Sequence, residues 1–248
     1  MPMIGIYNEN DFYSSHYLSS LFESDIRGVL EWWQSKESEA REQERQQRAL
    51  GREAETGYRA PHTRLASYSG QFFKQLNEHS KEQSLSRRLK QQRQRWQSIL
   101  SPLGYQFNPT TALLESGAEL PLLADYRDSD NRPCLWLVEA HDQRDEDSHD
   151  PLALSLLPEQ LSPVAAEDDE QHKHQQSLLK RKGGEALTWQ ELIAKQIFSL
   201  EEPPRWLLLL GNRQALLIDR TKWAQNRLLR FDFEEILGRK EGGSCQAI

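Results

Sequence analysis

The sequence predicts an α/β (α+β) protein: one mixed β-sheet flanked by helices, with an N-terminal helical segment in front of it. Three observations carry this. Apolar residues recur with a 3.6 period near residues 25–33, 85–103 and 188–200, the mark of amphipathic helices. Short apolar runs of strand length lie at 111–115, 120–126, 134–140, 206–210 and 215–219. The order is therefore helix, three strands, helix, then two or three strands, and one sheet with helices on its faces closes it most economically.

Each element has its own signal. Ile26, Val29, Leu30 and Trp33 share a helical face from about Asp25. Residues 35–59 hold six Glu and six Lys or Arg with few large apolar side chains, so a solvated arm or mobile helix is expected over about 35–60. Leu85, Leu89, Trp96, Leu100 and Leu103 lie on one face of a further helix that Pro102 and Gly104 terminate. The next three apolar runs predict a three-stranded meander, the last two joined by the turn-rich Arg127–Pro133. Its final strand, Cys134–Ala140, is nearly continuous in apolar residues and is expected to be buried on both faces. Residues 141–184 show little periodicity beyond Leu152–Leu157 and read as an exposed, partly disordered acidic insertion. Thr188 with Glu191 forms a capping box before Trp189, Leu192, Ile193, Ile197 and Leu200. Gly211–Gln214 is a hairpin signal, Leu228–Phe231 a further strand, and Asp232 opens a short last helix. The expected division is an N-terminal helical region (1–105), an α/β core (106–240) and a tail (241–248).

Composition narrows the function. The chain has 248 residues, 37% hydrophobic content and a net charge of −7. It lacks a run long and apolar enough to span a bilayer and a signal-peptide pattern at Met1–Tyr17. Cys134 and Cys245 are too few for a disulfide framework or a Cys-rich zinc site, so a cytoplasmic setting is expected. Phosphate-loop and GxGxxG motifs are absent, and Asn108-Pro109 runs into Thr110 rather than into an adenine-methyltransferase loop. His172 and His174 stand in a polar tract and read as solvated loop. Trp32, Trp33 and Trp96 read as core rather than as stacking platforms.

Two features carry candidate chemistry. Asp125 ends one strand and Glu139 lies near the end of the next. Carboxylates converging from adjacent strands can hold Mg²⁺, which activates water and stabilises charge on a scissile phosphate. A buried strand has no packing reason to carry Glu139, because burying an unpaired carboxylate is costly. Residues 81–95 hold six basic side chains against Glu82 alone. On an exposed helix face, Arg87, Arg88, Lys90, Arg93 and Arg95 would contact a phosphate backbone; a solvated amphipathic face is the competing reading.

The stretches LPLLADY and LWLVEA, the following helix with Gln190 and Gln196, and RWLLLLGNRQALLIDR resemble the PD-(D/E)xK nuclease core. Together with the opening NENDFYSSHYLSSLFESDIRGVLEWW, they resemble the N-terminal region of large type IIG-like restriction–modification enzymes and related phage-defence DNA methyltransferases. The resemblance implies a restriction-endonuclease-like fold, double-stranded DNA as partner, and Asp125 and Glu139 as metal ligands. It puts His141 where the family carries its lysine, and Gln190 or Gln196 at the helix glutamine. An imidazole supplies no fixed positive charge at neutral pH, so two expectations stand side by side: a Mg²⁺-dependent nuclease, and an inactive module that positions DNA or docks on a partner. The partner implied is a methyltransferase, in a longer protein or a separate subunit. S-adenosylmethionine is not expected to bind here, its domain being expected beyond the final GGSCQAI.

Overall fold

The computed structural model describes residues 4–53, 55–143, 150–165, 168–180, 184–238 and 245–246. Its centre is a six-stranded mixed sheet of β1 (Ile6–Glu9), β4 (Ala124–Arg127), β5 (Pro133–Glu139), β6 (Trp206–Leu210), β7 (Gln214–Asp219) and β8 (Leu228–Asp232). The spatial order is β1-β8-β7-β6-β5-β4. All neighbours are antiparallel except β5 and β6, which run parallel with Leu135 opposite Trp206 and Glu139 opposite Leu210. Parallel neighbours need a long crossover, and residues 140–205 supply it.

Helices cover both faces. On one side lie α2 (Pro61–Ser67), α3 (Ser69–Lys81), α4 (Leu85–Leu100) and α8 (Phe233–Gly238), whose Leu65, Phe72, Trp96, Ile99 and Phe233 pack with Leu137 and Leu208 of the sheet. On the other lie α5 (Asp169–Leu179) and α6 (Trp189–Leu192), which continues through a wide turn at Ile193–Ile197. Their Leu178, Trp189, Leu192 and Ile197 pack with Trp136, Val138, Leu207 and Leu209. Alternate residues of β5 thus enter opposite cores, which is why that strand is apolar throughout. Asp219 caps the short helix α7 (Arg220–Trp223) by accepting from Thr221 N at 2.8 Å.

The capping box at Thr188 is formed, with Glu191 N donating to Thr188 Oγ1 at 3.4 Å. Asp232 Oδ1 accepts from Glu234 N at 3.0 Å and starts α8.

Several expectations are corrected. The meander is not one sheet. β2 (Thr110–Leu113) and β3 (Glu119–Leu122) form a separate two-stranded ribbon, because the run 120–126 breaks at Leu123, whose N–H turns to Leu137 O at 2.8 Å. The boundary at residue 105 does not separate two cores: β1 pairs with β8, and α3 and α4 build half of the sheet's packing. The Glu/Arg/Gln arm belongs to one long helix, α1 (Phe22–Ala49), with a buried side of its own. There Glu37 accepts from Thr63 Oγ1 at 2.8 Å and Ala60 N at 3.2 Å. Glu44 accepts from Gly57 N at 2.7 Å and Arg59 Nη2 at 2.9 Å, and these bonds hold its carboxyl down at about 2. The insertion is ordered in part, with α5 a helix and Leu152, Leu156 and Leu178 in the core. Residues 144–149, 166–167 and 181–183, with the acidic cluster at 145–147, lie outside the described residues, as do 239–244 and 247–248 of the expected tail.

Candidate functional site

The hairpin that joins β4 to β5 fixes where the two candidate carboxylates point. Asp125 pairs with Trp136, and opposed residues of an antiparallel pair share a face. Trp136 Nε1 donates to Asp125 Oδ1 at 2.9 Å, and Arg127 Nε donates to Oδ2 at 2.8 Å. Glu139 lies three residues past Trp136, an odd number, so its side chain leaves the opposite face. It meets α4, where Arg93 Nε lies 3.0 Å from both carboxylate oxygens and Nη2 donates to Oε1 at 2.5 Å. Asp125 and Glu139 therefore do not converge, and they do not fit a shared Mg²⁺. Among the described residues, no three His, Cys, Asp or Glu gather so as to hold a metal ion.

Glu139 is buried with its side chain 7% exposed, and Arg93 is 43% exposed. The contact with Glu139 holds the Arg93 guanidinium above its ordinary pKa. Gln160 completes the group: its Nε2 donates to Glu139 O at 3.0 Å and Oε1 at 3.3 Å, while its own Oε1 accepts from Leu157 N at 3.0 Å. In front of the pair opens a cavity of about 300 Å³, walled by Phe107, Pro109, Pro121, Leu123 and Leu156, with Thr110, Thr111 and Ser162 beside them.

His141 does not stand in for a water-orienting lysine. It is 1% exposed, its Nδ1 lies 2.7 Å from Gln92 Oε1, and its ring meets His79 edge-on at 5.5 Å. Burial, reinforced by Arg88, lowers its pKa to about 4; burial and Arg95 lower that of His79 to about 3. Both rings are neutral at pH 7. Gln190 is exposed on α6, which covers the face opposite to the one Glu139 leaves. Gln196 Nε2 donates to Ser177 O at 3.2 Å.

The basic helix is the largest departure from expectation. Three of its five cations turn inward. Arg88 donates to Gln143 O and, at 3.1 Å, to Asp142 O. Arg95 donates to Asn212 O at 2.7 Å and is fully buried. Arg93 takes Glu139. Between them Gln92 donates to Ala140 O at 3.0 Å, and Trp96 to Gly211 O at 2.7 Å. These carbonyls follow the C-terminal ends of the parallel strands β5 and β6, where the ladder stops supplying donors and buried oxygens still need them. A guanidinium offers five N–H groups, so α4 plugs the strand ends. Only Arg87 and Lys90 face outward. Gln92, His79 and Gln160 went unrecognised in the sequence. For Gln92 a signal existed: positions 88, 92 and 95 fall among the core-facing positions of α4 and are polar.

No family model, no curated protein and no solved structure matches the chain. Among the described residues, no helix is long and apolar enough to cross a membrane.

Proposed function

We propose that this protein is a non-catalytic, DNA-positioning module of a restriction–modification or phage-defence system, built on a restriction-endonuclease-like sheet. One observation carries the reading: Asp125 and Glu139 leave opposite faces of the β4–β5 hairpin, each tied to its own arginine. A metal-dependent phosphodiesterase needs its carboxylates on one ion; here each is committed to a charge partner. The mixed sheet with helices on both faces agrees with the family resemblance at the level of layout. Arg87 and Lys90 on the outer side of α4 give DNA a small cationic contact of the kind that fixes position without reading sequence. Methyl transfer and S-adenosylmethionine then belong to the partner methyltransferase.

The test is incubation of unmodified plasmid and phage DNA with Mg²⁺ or Mn²⁺, wild type beside Glu139→Ala, together with DNA binding over a salt series. The expected result is no cleavage by either protein and binding that weakens as salt rises. Divalent-dependent cleavage by the wild type that Glu139→Ala abolishes would sink the proposal and restore the nuclease.

A further inference from the structure

The ribbon has one neighbour for β2, and that is β3. Its pairing tells which backbone groups of β2 lie open. Leu114 N donates to Ala118 O at 2.9 Å, so the hydrogen-bonded pairs fall at Leu114, Ala112 and Thr110, and Thr111 and Leu113 are the alternate pairs that exchange no bond with β3. Pro121, which has no N–H, stands opposite Thr111 and agrees. The N–H and C=O groups of Thr111 and Leu113 therefore point away from β3. A cavity of about 580 Å³ lies beside them. Five consecutive residues, 111–115, line it and none of β3 does. A cavity over one face of the ribbon would meet alternate residues, so this one follows the open edge. Its other lining comes from Arg127, Pro133 and Trp136 of the main sheet and from Leu200, Glu201 and Glu202. Natural edges are commonly guarded by charge, Pro or a bulge; this one reads Thr-Thr-Ala-Leu, with Leu113 69% exposed. The charge around it is negative. Glu115, Glu201 and Glu202 are exposed and without an ion pair among the described residues, whereas Arg127 is tied to Asp125 at 2.8 Å.

We propose that the open edge of β2 takes up an extended peptide of a partner protein as an added strand, with Lys or Arg at alternate positions of that peptide. Thr111 and Leu113 supply two N–H and two C=O groups for main-chain bonds, the source of affinity in strand addition. Side chains of the added strand alternate in direction. One set shares the side of Ala112 and Leu114, which pack on the core, and is apolar. The other set shares the side of Thr111 and Leu113, which are exposed, and carries the cations that the three unpaired glutamates attract. A second copy of this chain is the poorer occupant, because joining two β2 edges would set these glutamates against their own kind. The inference stands on the ribbon and its cavity, and does not require the DNA-positioning role.

The intact chain is titrated with acetyl-Lys-Val-Lys-Val-Lys amide, followed by calorimetry and by tryptophan fluorescence, beside the same peptide with Glu in place of Lys. Saturable binding of the lysine peptide is expected, with the glutamate peptide at least about tenfold weaker. Two further peptides carry one backbone N-methyl group, at the central lysine or at a valine. The N–H groups of an added strand point by turns toward β2 and toward solvent, so one methylation costs about tenfold or more, the scale of an unmade main-chain bond, and the other is tolerated. Loss at the lysine reads antiparallel addition and loss at the valine parallel addition. Glu201→Lys with Glu202→Lys changes exposed residues only. Its melting curve stays as in wild type, and it binds the lysine peptide roughly fivefold or more weakly. The proposal is overturned if folded wild type shows no saturable binding of the lysine peptide. Equal effects of the two methylations, or unchanged binding in the Glu201→Lys, Glu202→Lys protein, overturn it too. A dimer in sedimentation that the lysine peptide does not dissociate would give the edge to a second copy and overturn the peptide. Plasmid binding over the salt series reports on the DNA-positioning role separately.

Discussion

Arg93 and Glu139 show how one side chain sets the cost of another. Removing the guanidinium alone, as Arg93→Leu, strands a carboxylate that is 7% exposed. The expected loss is about 2–4 kcal/mol, near the lower figure because Arg93 itself is part exposed. Replacing both, as Arg93→Leu with Glu139→Leu, recovers most of it, since an apolar pair bears no desolvation cost. Urea denaturation of the three proteins checks this, and a double variant as unstable as the single one would refute it. His79 and His141 make a second prediction at this scale. Their folded pKa values, about 3 and about 4, lie below the unfolded value, so the unfolded chain binds more protons in acid. Burial is the main cause for both rings; Arg88 and Arg95 add to it at each, Arg213 at His79 and Arg93 at His141, while Asp142 opposes it at His141. Stability is therefore full above about pH 6.5 and falls from there toward pH 4, by up to about 1.4 kcal/mol per pH unit for each ring. Urea midpoints at pH 7, 6 and 5 read the slope, and His79→Phe should flatten it by roughly half. The alternation that separates Asp125 from Glu139 was legible in principle. It depends on whether Trp136 is the residue opposite Asp125, which the length of the 128–132 turn decides; counting strands without their pairing put both carboxylates on one side.

At the scale of the element, α4 sorts its cations by direction, and the proposed DNA contact falls to the outward pair. Arg87→Ala with Lys90→Ala should leave stability near wild type and reduce the slope of log affinity against log salt by about 2, one for each phosphate no longer neutralised. Arg95→Ala should do the reverse, costing about 2–3 kcal/mol because Asn212 O and its neighbours lose a buried donor, with the salt slope unchanged in whatever folds. A filter-binding salt series and urea melts on the same preparations separate the two. Thr188→Ala, which removes the cap of α6, costs about 1 kcal/mol. That capping box was readable from Thr188 and Glu191 alone, since it involves residues three apart. The inward Arg88 and Arg95 were not: a run of arginines on a helix reads as surface unless the carbonyls it must satisfy are known, and those lie at residues 142–143 and 212, far away in sequence. The buried side of α1 was hidden for the same reason, because Glu37 and Glu44 are made acceptable by donors from 57–63.

For the whole molecule, the two cores share β5 and β6, so they are expected to melt together. Amides of β5 and β6 should exchange with solvent only through global unfolding, whereas those of α1 near Val29 and Trp32, side chains that are 49% and 55% exposed, should exchange orders of magnitude faster. Hydrogen exchange read by mass spectrometry decides this, and uniform protection along α1 would contradict it. The layered α/β plan was legible because both faces of β5 draw on one apolar run. The ribbon β2–β3 was not, since the break at Leu123 interrupts a stretch that is apolar on either side of it. The pairing of β1 with β8 sets Ile6 beside Phe231, and Lys222 Nζ closes on Phe12 O at 2.7 Å. A ribosome adds about 5–20 residues per second, so the first strand waits on the order of ten seconds or more for its neighbour to be synthesised. The sheet cannot be completed in the order of translation: the edge strand β1 is made before its one neighbour in the sheet, β8, and stays unpaired with it throughout that interval.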